Sequence, residues 1–187
     1  GFAVYDDWLP RGRGAGSRAY VERRADDTTT RVLGWLDERA QKNRAGAPVR
    51  PWFLWVHYFD PHAAYEPPPE FAARFPNSAY DGEIAFVDTQ LGRLLQRLER
   101  GGELARTVVL VTADHGESLG EANLYLHGVP YAIAPDVQRK VPMALWLSPG
   151  FTQRFALDLG GLRQLARQPL SNDNLFHTVL GLLDVNT

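Results

Sequence analysis

The chain has 187 residues, 44% of them hydrophobic and 22% charged, with a formal net charge of −2 and no cysteine. That is enough apolar chain for a substantial folded core, while the missing cysteine excludes disulfides, thiolate metal sites and a cysteine nucleophile within these residues. The balanced charge offers no basic field to hold nucleic acid, and no apolar run approaches the ~18–20 residues of a membrane span.

The chain opens on GFAVYDDWLP, with neither Met nor a signal-peptide pattern, and stops at LLDVNT, so a piece of a longer protein is expected. Residues 1–20 are rich in Gly and Arg and read as an irregular approach segment. Within residues 21–40, Val32, Leu33, Leu36 and Ala40 fall at helical spacing behind early acids, which predicts a helix. The aromatic and branched run PWFLWVHYF, 51–59, predicts a buried strand, and the proline-rich DPHAAYEPPPEFAARFP after it predicts a loop. From Tyr80 to Arg100 the period changes: Ile84, Val87, Leu91, Leu94, Leu95 and Leu98 form one stripe, with Glu83, Arg93, Arg97 and Arg100 elsewhere, the pattern of an amphipathic helix covering a sheet. TVVLVTA, 107–113, and VPMALWLS, 141–148, predict strands. In SNDNLFHTVLGLLDV, Ser171 or Asn172 caps a helix with Leu175, Val179, Leu182 and Leu183 on one face. Strands alternating with helices define an α/β fold with a largely parallel central sheet flanked by helices.

Ligands of open α/β sheets sit beyond the carboxyl ends of strands. The 51–59 run delivers His57 and, past a turn, Asp60 and His62; the 107–113 run delivers Asp114 and His115, and the following loop returns with His127. A carboxylate with imidazoles suits a divalent ion such as Zn²⁺, and Gly116 and Gly128 permit unusual backbone angles and close approach. The bland alternatives are an Asp-His loop cap, a hydrogen-bonded core histidine at His57, a solvated His62, and solvated loop acids at Glu117 and Glu121. His177 lies mid-helix and reads as structural or surface.

At these residues the sequence resembles the sulfatase-type branch of the alkaline phosphatase superfamily. PWFLWVHYFDPHAAYEPP, YDGEIAFVDTQLGRLLQRL and VVLVTADHGESLGE are similar to bacterial sulfatases; DHGESLGEANLYLHGVPYAIAP, VPMALWLSPGF and SNDNLFHTVLGLLDV are similar to lipid A phosphoethanolamine transferases. The resemblance implies that Asp114 and His115 are metal ligands, that His57, His62 and His127 contact substrate, with His57 and His127 also catalytic, and that the ion is Zn or Ca. It implies that both histidine groups approach one crevice. DPHAAY stands where the transferases carry Ser-His-Gly-Pro, and neither Thr112 nor Ser118 matches the family nucleophile. Residues 1–187 are accordingly expected to form a single, partial catalytic domain, its C-terminal half, without the nucleophile-bearing half. The implied activity of the parent is metal-dependent hydrolysis of sulfate esters, the alternatives being phosphoethanolamine transfer to lipid A or a non-catalytic metal- or anion-binding module. The implied partners are a sulfate- or phosphate-ester substrate, no nucleic acid, and a membrane only through a region outside this chain; a transferase parent would be periplasmic, with or without a membrane anchor.

Overall fold

The structure is a computed structural model describing residues 2–9 and 22–185. Most of the expected approach segment, residues 10–20, and the expected helix start at Val21 lie outside the described residues. Where one domain is expected, the contacts divide the chain into two compact units, Gly1–Gly102 and Glu103–Thr187. Among the described residues no helix is long and apolar enough to cross a membrane.

The first unit is helical. Helix α1, Ala25–Arg44, carries Asp26 and Asp27 in its first turn and Lys42 and Arg44 in its last, signs that complement the helix dipole. It begins within the expected range of 21–40, where the Asp60 carboxylate accepts the Ala25 N–H at 2.8 Å and satisfies one of the orphan donors of a helix start. Helix α2, Pro69–Arg74, starts on the proline that a first turn tolerates. Helix α3, Ala79–Arg100, is capped by Ser78 Oγ, which accepts the Asp81 N–H at 3.2 Å.

Helix α3 matches the expected range but is rotated about its axis. Its buried positions are Gly82, Glu83, Phe86, Gln90, Leu94 and Leu98, while Ile84, placed on the apolar stripe by its spacing, is 43% exposed. The core gathers Ala25, Phe71 and Phe86 with Tyr58, Ala85 and Val87 around them, and the Phe71 and Phe86 rings meet edge to face at 5.5 Å. Arg97 Nε donates to Asp37 Oδ1 at 2.6 Å and ties α3 to α1.

Residues 51–59 are not a buried strand. The segment belongs to no strand pair, and exposure alternates along it: Trp52, Leu54, Val56 and Tyr58 are half-buried, and Phe53, Trp55, His57 and Phe59 face out. Its inner face packs on α1, with Trp52 edge-on to Trp35 at 6.2 Å and Tyr58 Oη 2.9 Å from Thr29 Oγ1. One-sided packing on a helix produces the same alternation of apolar residues as pairing in a sheet.

The second unit holds two strand pairs, both antiparallel. Strand β1, Val108–Thr112, pairs with β4, Met143–Leu147, from Val108 opposite Leu147 to Thr112 opposite Met143. β2, Ser118–Leu119, pairs with β3, Tyr125–Leu126. The fold departs here from the expected parallel sheet. The chain returns to β4 beside the end of β1, where Thr112 Oγ1 donates to the Pro142 carbonyl at 3.0 Å; a parallel neighbour would have to cross back to Val108 first. Helices α4, Asp136–Arg139, α5, Pro149–Arg154, α6, Leu159–Leu165, and α7, Asp173–Leu182, complete the unit. In place of a clean Ser171 or Asn172 cap, Ser171 Oγ accepts the Asp173 N–H and Asn174 Oδ1 accepts the Ser171 N–H. The strands remain largely uncovered, with Val111 at 40%, Leu145 at 40% and Trp146 at 41% exposure.

The rotation of α3 is testable. Phe86→Ala should destabilise the first unit by about 3–5 kcal/mol through the cavity it leaves, and Ile84→Ala should stay within about 0.5 kcal/mol. Urea midpoints of the two variants decide the matter; equal losses would place the core on the wrong face.

Candidate metal and substrate site

In the second unit Asp114 and His115 follow β1 directly, as its apolar run implies. The turn is tight. Asp114 Oδ1 accepts the His115 N–H at 3.0 Å, and the Gly116 N–H donates to the Gln138 carbonyl at 2.9 Å. A Cβ at Gly116 would overlap the Val137 carbonyl oxygen, so close approach requires glycine here. Gln138 is buried, and its Nε2 donates to Ser118 Oγ at 2.8 Å and to the Leu126 carbonyl at 3.0 Å. That amide fastens β3 beside the turn, and His127 follows β3, with Gly128 taking a positive φ of 101°. His115 and His127 consequently stack, ring centroids 3.9 Å apart and 32° from parallel.

The partners of the two rings fix their tautomers. His115 Nδ1 lies 2.9 Å from the Gly116 carbonyl oxygen, and His127 Nδ1 lies 3.2 Å from Glu117 Oε1. Both partners are acceptors, so each Nδ1 carries a hydrogen. Glu117, which the sequence reads as a solvated loop acid, is only 6% exposed at its side chain. Asn172, read only as a cap, donates from Nδ2 to the Ala113 carbonyl at 3.0 Å and to the Asp114 carbonyl at 3.4 Å, bracing the turn from the start of α7. Glu117 could have been suspected from its spacing to His127 in DHGESLGEANLYLHG; Asn172 lies 58 residues from Asp114 and gives no local signal.

The two hydroxyls nearest this turn are committed. Thr112 Oγ1 donates to Pro142, and Ser118, 1% exposed, accepts from Gln138. Neither is presented as a nucleophile.

The first unit holds His57 and His62. His57 is exposed on the outer face of the extended segment. His62 is half-buried, its ring against Phe59 at 4.3 Å and its Nδ1 2.8 Å from the Ala63 carbonyl oxygen, which accepts the Nδ1 hydrogen. The His62 N–H donates to Glu83 Oε2 at 3.1 Å. Burial pushes the Glu83 carboxyl from 4.5 up to about 7; the His62 N–H opposes the rise, Asp60 and Glu22 add to it, and Arg24 opposes it.

The donors suit a divalent ion without completing a site for one. Asp114 Oδ2 and His115 Nε2 stand 3.8 Å apart, within reach of two corners of a coordination sphere. Among the described residues, however, no group of three or more His, Asp or Glu side chains is placed to hold a metal.

The sulfatase family profile matches residues 12–185, and the chain belongs to that family. Phosphoethanolamine transferase EptA of Escherichia coli K12 is 44% identical over 111 residues, 59% of this chain and 20% of that protein. Among solved structures, the soluble domain of lipooligosaccharide phosphoethanolamine transferase A from Neisseria meningitidis is 43% identical over 57% of this chain and 32% of its own, with a TM-score of 0.51. The C-terminal periplasmic domain of phosphoethanolamine transferase EptC from Campylobacter jejuni covers 91% of this chain and 58% of its own, with a TM-score of 0.67 at 25% identity. The α/β fold is thus an incomplete sulfatase-like one, and the chain spans about a fifth of the length of the curated relatives it matches. Of the two catalytic readings, these relatives favour the transferase over sulfate ester hydrolysis. Family membership points to a divalent metal in general.

Two outcomes follow from this geometry. In Glu117→Leu, His127 Nδ1 loses its acceptor, and ¹⁵N imidazole spectra should change from one tautomer to two; an unchanged spectrum would contradict the assignment. The raised Glu83 carboxyl means that the folded chain keeps a proton which the unfolded chain releases above about 4.5. The contribution of Glu83 to the stability of the first unit should therefore be greatest below about pH 4.5 and fall by up to roughly 3 kcal/mol as pH rises from 4.5 to about 7. Asp60, raised chiefly by burial, contributes in the same direction. Denaturant unfolding at a series of pH values should show a shallower slope in Glu83→Gln, and an identical slope would remove Glu83 as its source.

Proposed function

We propose that the chain is part of the catalytic domain of a phosphoethanolamine transferase, one that moves the headgroup phosphate of a phospholipid onto a lipid A-type acceptor. The observation that carries this reading is the 44% identity over 111 residues to a transferase of that name. The pairing of His115 with a carboxylate-backed His127 supports it.

In this reading Asp114 Oδ and His115 Nε2 hold a divalent ion, zinc rather than calcium because imidazole nitrogen is the softer donor. Bound there, the ion supplies a Lewis acid for a phosphate ester oxygen. The chain's own residues bind, orient and handle protons. His127 Nε2 faces the phosphate; it first takes up a proton, Glu117 stabilising the charged ring through Nδ1, and then passes that proton to the departing oxygen. His57 and His62 contact the substrate. The attacking group is assigned to the rest of the parent protein, because Thr112 and Ser118 are engaged elsewhere.

The test uses the parent protein, phosphatidylethanolamine as donor and lipid A as acceptor. His127→Ala should lower transfer by roughly 10²–10⁴-fold, Glu117→Leu by roughly 10–100-fold, and Asp114→Ala should abolish it together with metal uptake. The isolated 187-residue chain should turn over neither aryl sulfate nor aryl phosphate with added Zn²⁺, Ca²⁺ or Mn²⁺. Aryl sulfate hydrolysis by the parent without headgroup transfer would return the sulfatase reading to first place. Turnover by the isolated chain that Asp114→Ala abolishes would reveal a nucleophile within it.

A further inference from the structure

Glu83 is a buried acid, 5% exposed, on the inner face of α3. Its two oxygens accept from backbone N–H groups of the loop ahead of α2. Oε2 takes the His62 N–H at 3.1 Å and Oε1 takes the Glu66 N–H at 2.6 Å. One carboxylate therefore pinches together two amides four residues apart, in a stretch that belongs to no helix or strand. The neighbouring residue acts on the same loop. A Cβ at Gly82 would stand 2.9 Å from Pro67 Cγ, so the bare helix backbone there admits the proline ring. Tyr65 meets Tyr80 edge to face at 5.4 Å. Three successive loop features, at residues 62, 65–66 and 67, are thus read by three positions on the first turns of α3.

We infer that Glu83 is the positioning residue for His62: its carboxylate straps the 62–66 loop to α3 and so fixes where the His62 imidazole stands. The chemistry favours a carboxylate for this task. Only a group with two acceptor oxygens can take both amides, and above about pH 7, where the Glu83 carboxyl ionises, these N–H bonds become charge-assisted and about twice as strong. A glutamine presents one oxygen and one NH₂, so it keeps one contact and sets a donor against a donor at the other. The His62 ring gains its remaining definition from Phe59 and from the Ala63 carbonyl, both inside the same short stretch. When the strap opens, ring and loop move together. This inference rests on the proposed function only for what His62 then does to a substrate.

The experiment is hydrogen exchange and ¹⁵N imidazole spectroscopy on the 187-residue chain. In the unaltered protein the His62 and Glu66 amides should exchange at least roughly tenfold more slowly than those of Ala63 and Ala64 between them, after correction for intrinsic rates. In Glu83→Gln at least one of the two should fall to the Ala63 and Ala64 level. The His62 ring signal should shift, while the Phe86 and Leu94 amides keep their protection. Loosening of α3 as a whole would mean that Glu83 merely supports the helix and would overturn the inference. So would wild-type amides that exchange as fast as their neighbours, a measurement that holds even if the variant does not fold. Headgroup transfer by the parent is read separately, so the strap can stand where the transferase reading fails.

Discussion

The carbonyl of Val137 rests against the α-carbon of Gly116, and the second unit is organised around that contact. With no side chain between them, the Asp-His-Gly turn can hydrogen-bond to the backbone of α4 through Gln138. The Gln138 side chain then reaches both β2 and the end of β3. Each step is a short polar bond among atoms with little access to water, where such bonds count most. The result is that His127, twelve residues beyond His115, arrives stacked on it. No apolar cluster in this unit does comparable organising, since its strands stay half open.

The first unit solves a similar problem differently. There the candidate histidine lies on a proline-rich loop without a strand to aim it, and aim comes from a helix face. Gly82 clears room for Pro67, Glu83 gathers two amides, and Asp60 reaches back to start α1. A buried carboxylate is costly unless hydrogen-bonded, and here the donors that compensate it are the backbone groups of the loop being held. The upward displacement of its proton affinity is the residue of that balance: burial outweighs the two donors.

Much of this was legible in the sequence, and the failures have common causes. β1 was readable because a run of branched apolar residues ends abruptly at Asp114. The range of α3 was readable because a helical stripe of apolar residues runs between Tyr80 and Arg100. Its buried face was not: Glu83 is charged and Ile84 apolar, so a stripe drawn on hydrophobicity turns the helix toward Ile84, while the backbone amides that welcome Glu83 lie on a loop with no periodic signal. Segment 51–59 misled for a related reason: a continuous aromatic and branched run reads as buried on both faces, whereas here Phe53, Trp55, His57 and Phe59 stay exposed. The direction of β4 depended on a return path of thirty residues, and Asn172 on a contact 58 residues away. Of the two loop acids for which solvation was the bland alternative, Glu121 is exposed and Glu117 is covered, a difference that charge alone does not reveal. The family itself was the most legible feature, carried by stretches of ten to twenty residues that the sulfatase profile covers almost end to end.

In all three of His62, His115 and His127, Nδ1 faces an oxygen acceptor, so the nitrogen nearer the backbone serves the scaffold, and the proposed function gives the chemistry to the farther one. The two duties can therefore be separated genetically. An asparagine amide nitrogen reaches about as far as Nδ1 and can donate to the same carbonyl or carboxylate, whereas a glutamine amide extends about as far as Nε2. His→Asn at these positions preserves the architecture and deletes the reagent; His→Gln keeps a polar group at the reagent's position while withdrawing the scaffold bond. Within each ring, amide substitutions thus separate the nitrogen held by the scaffold from the one left outside it.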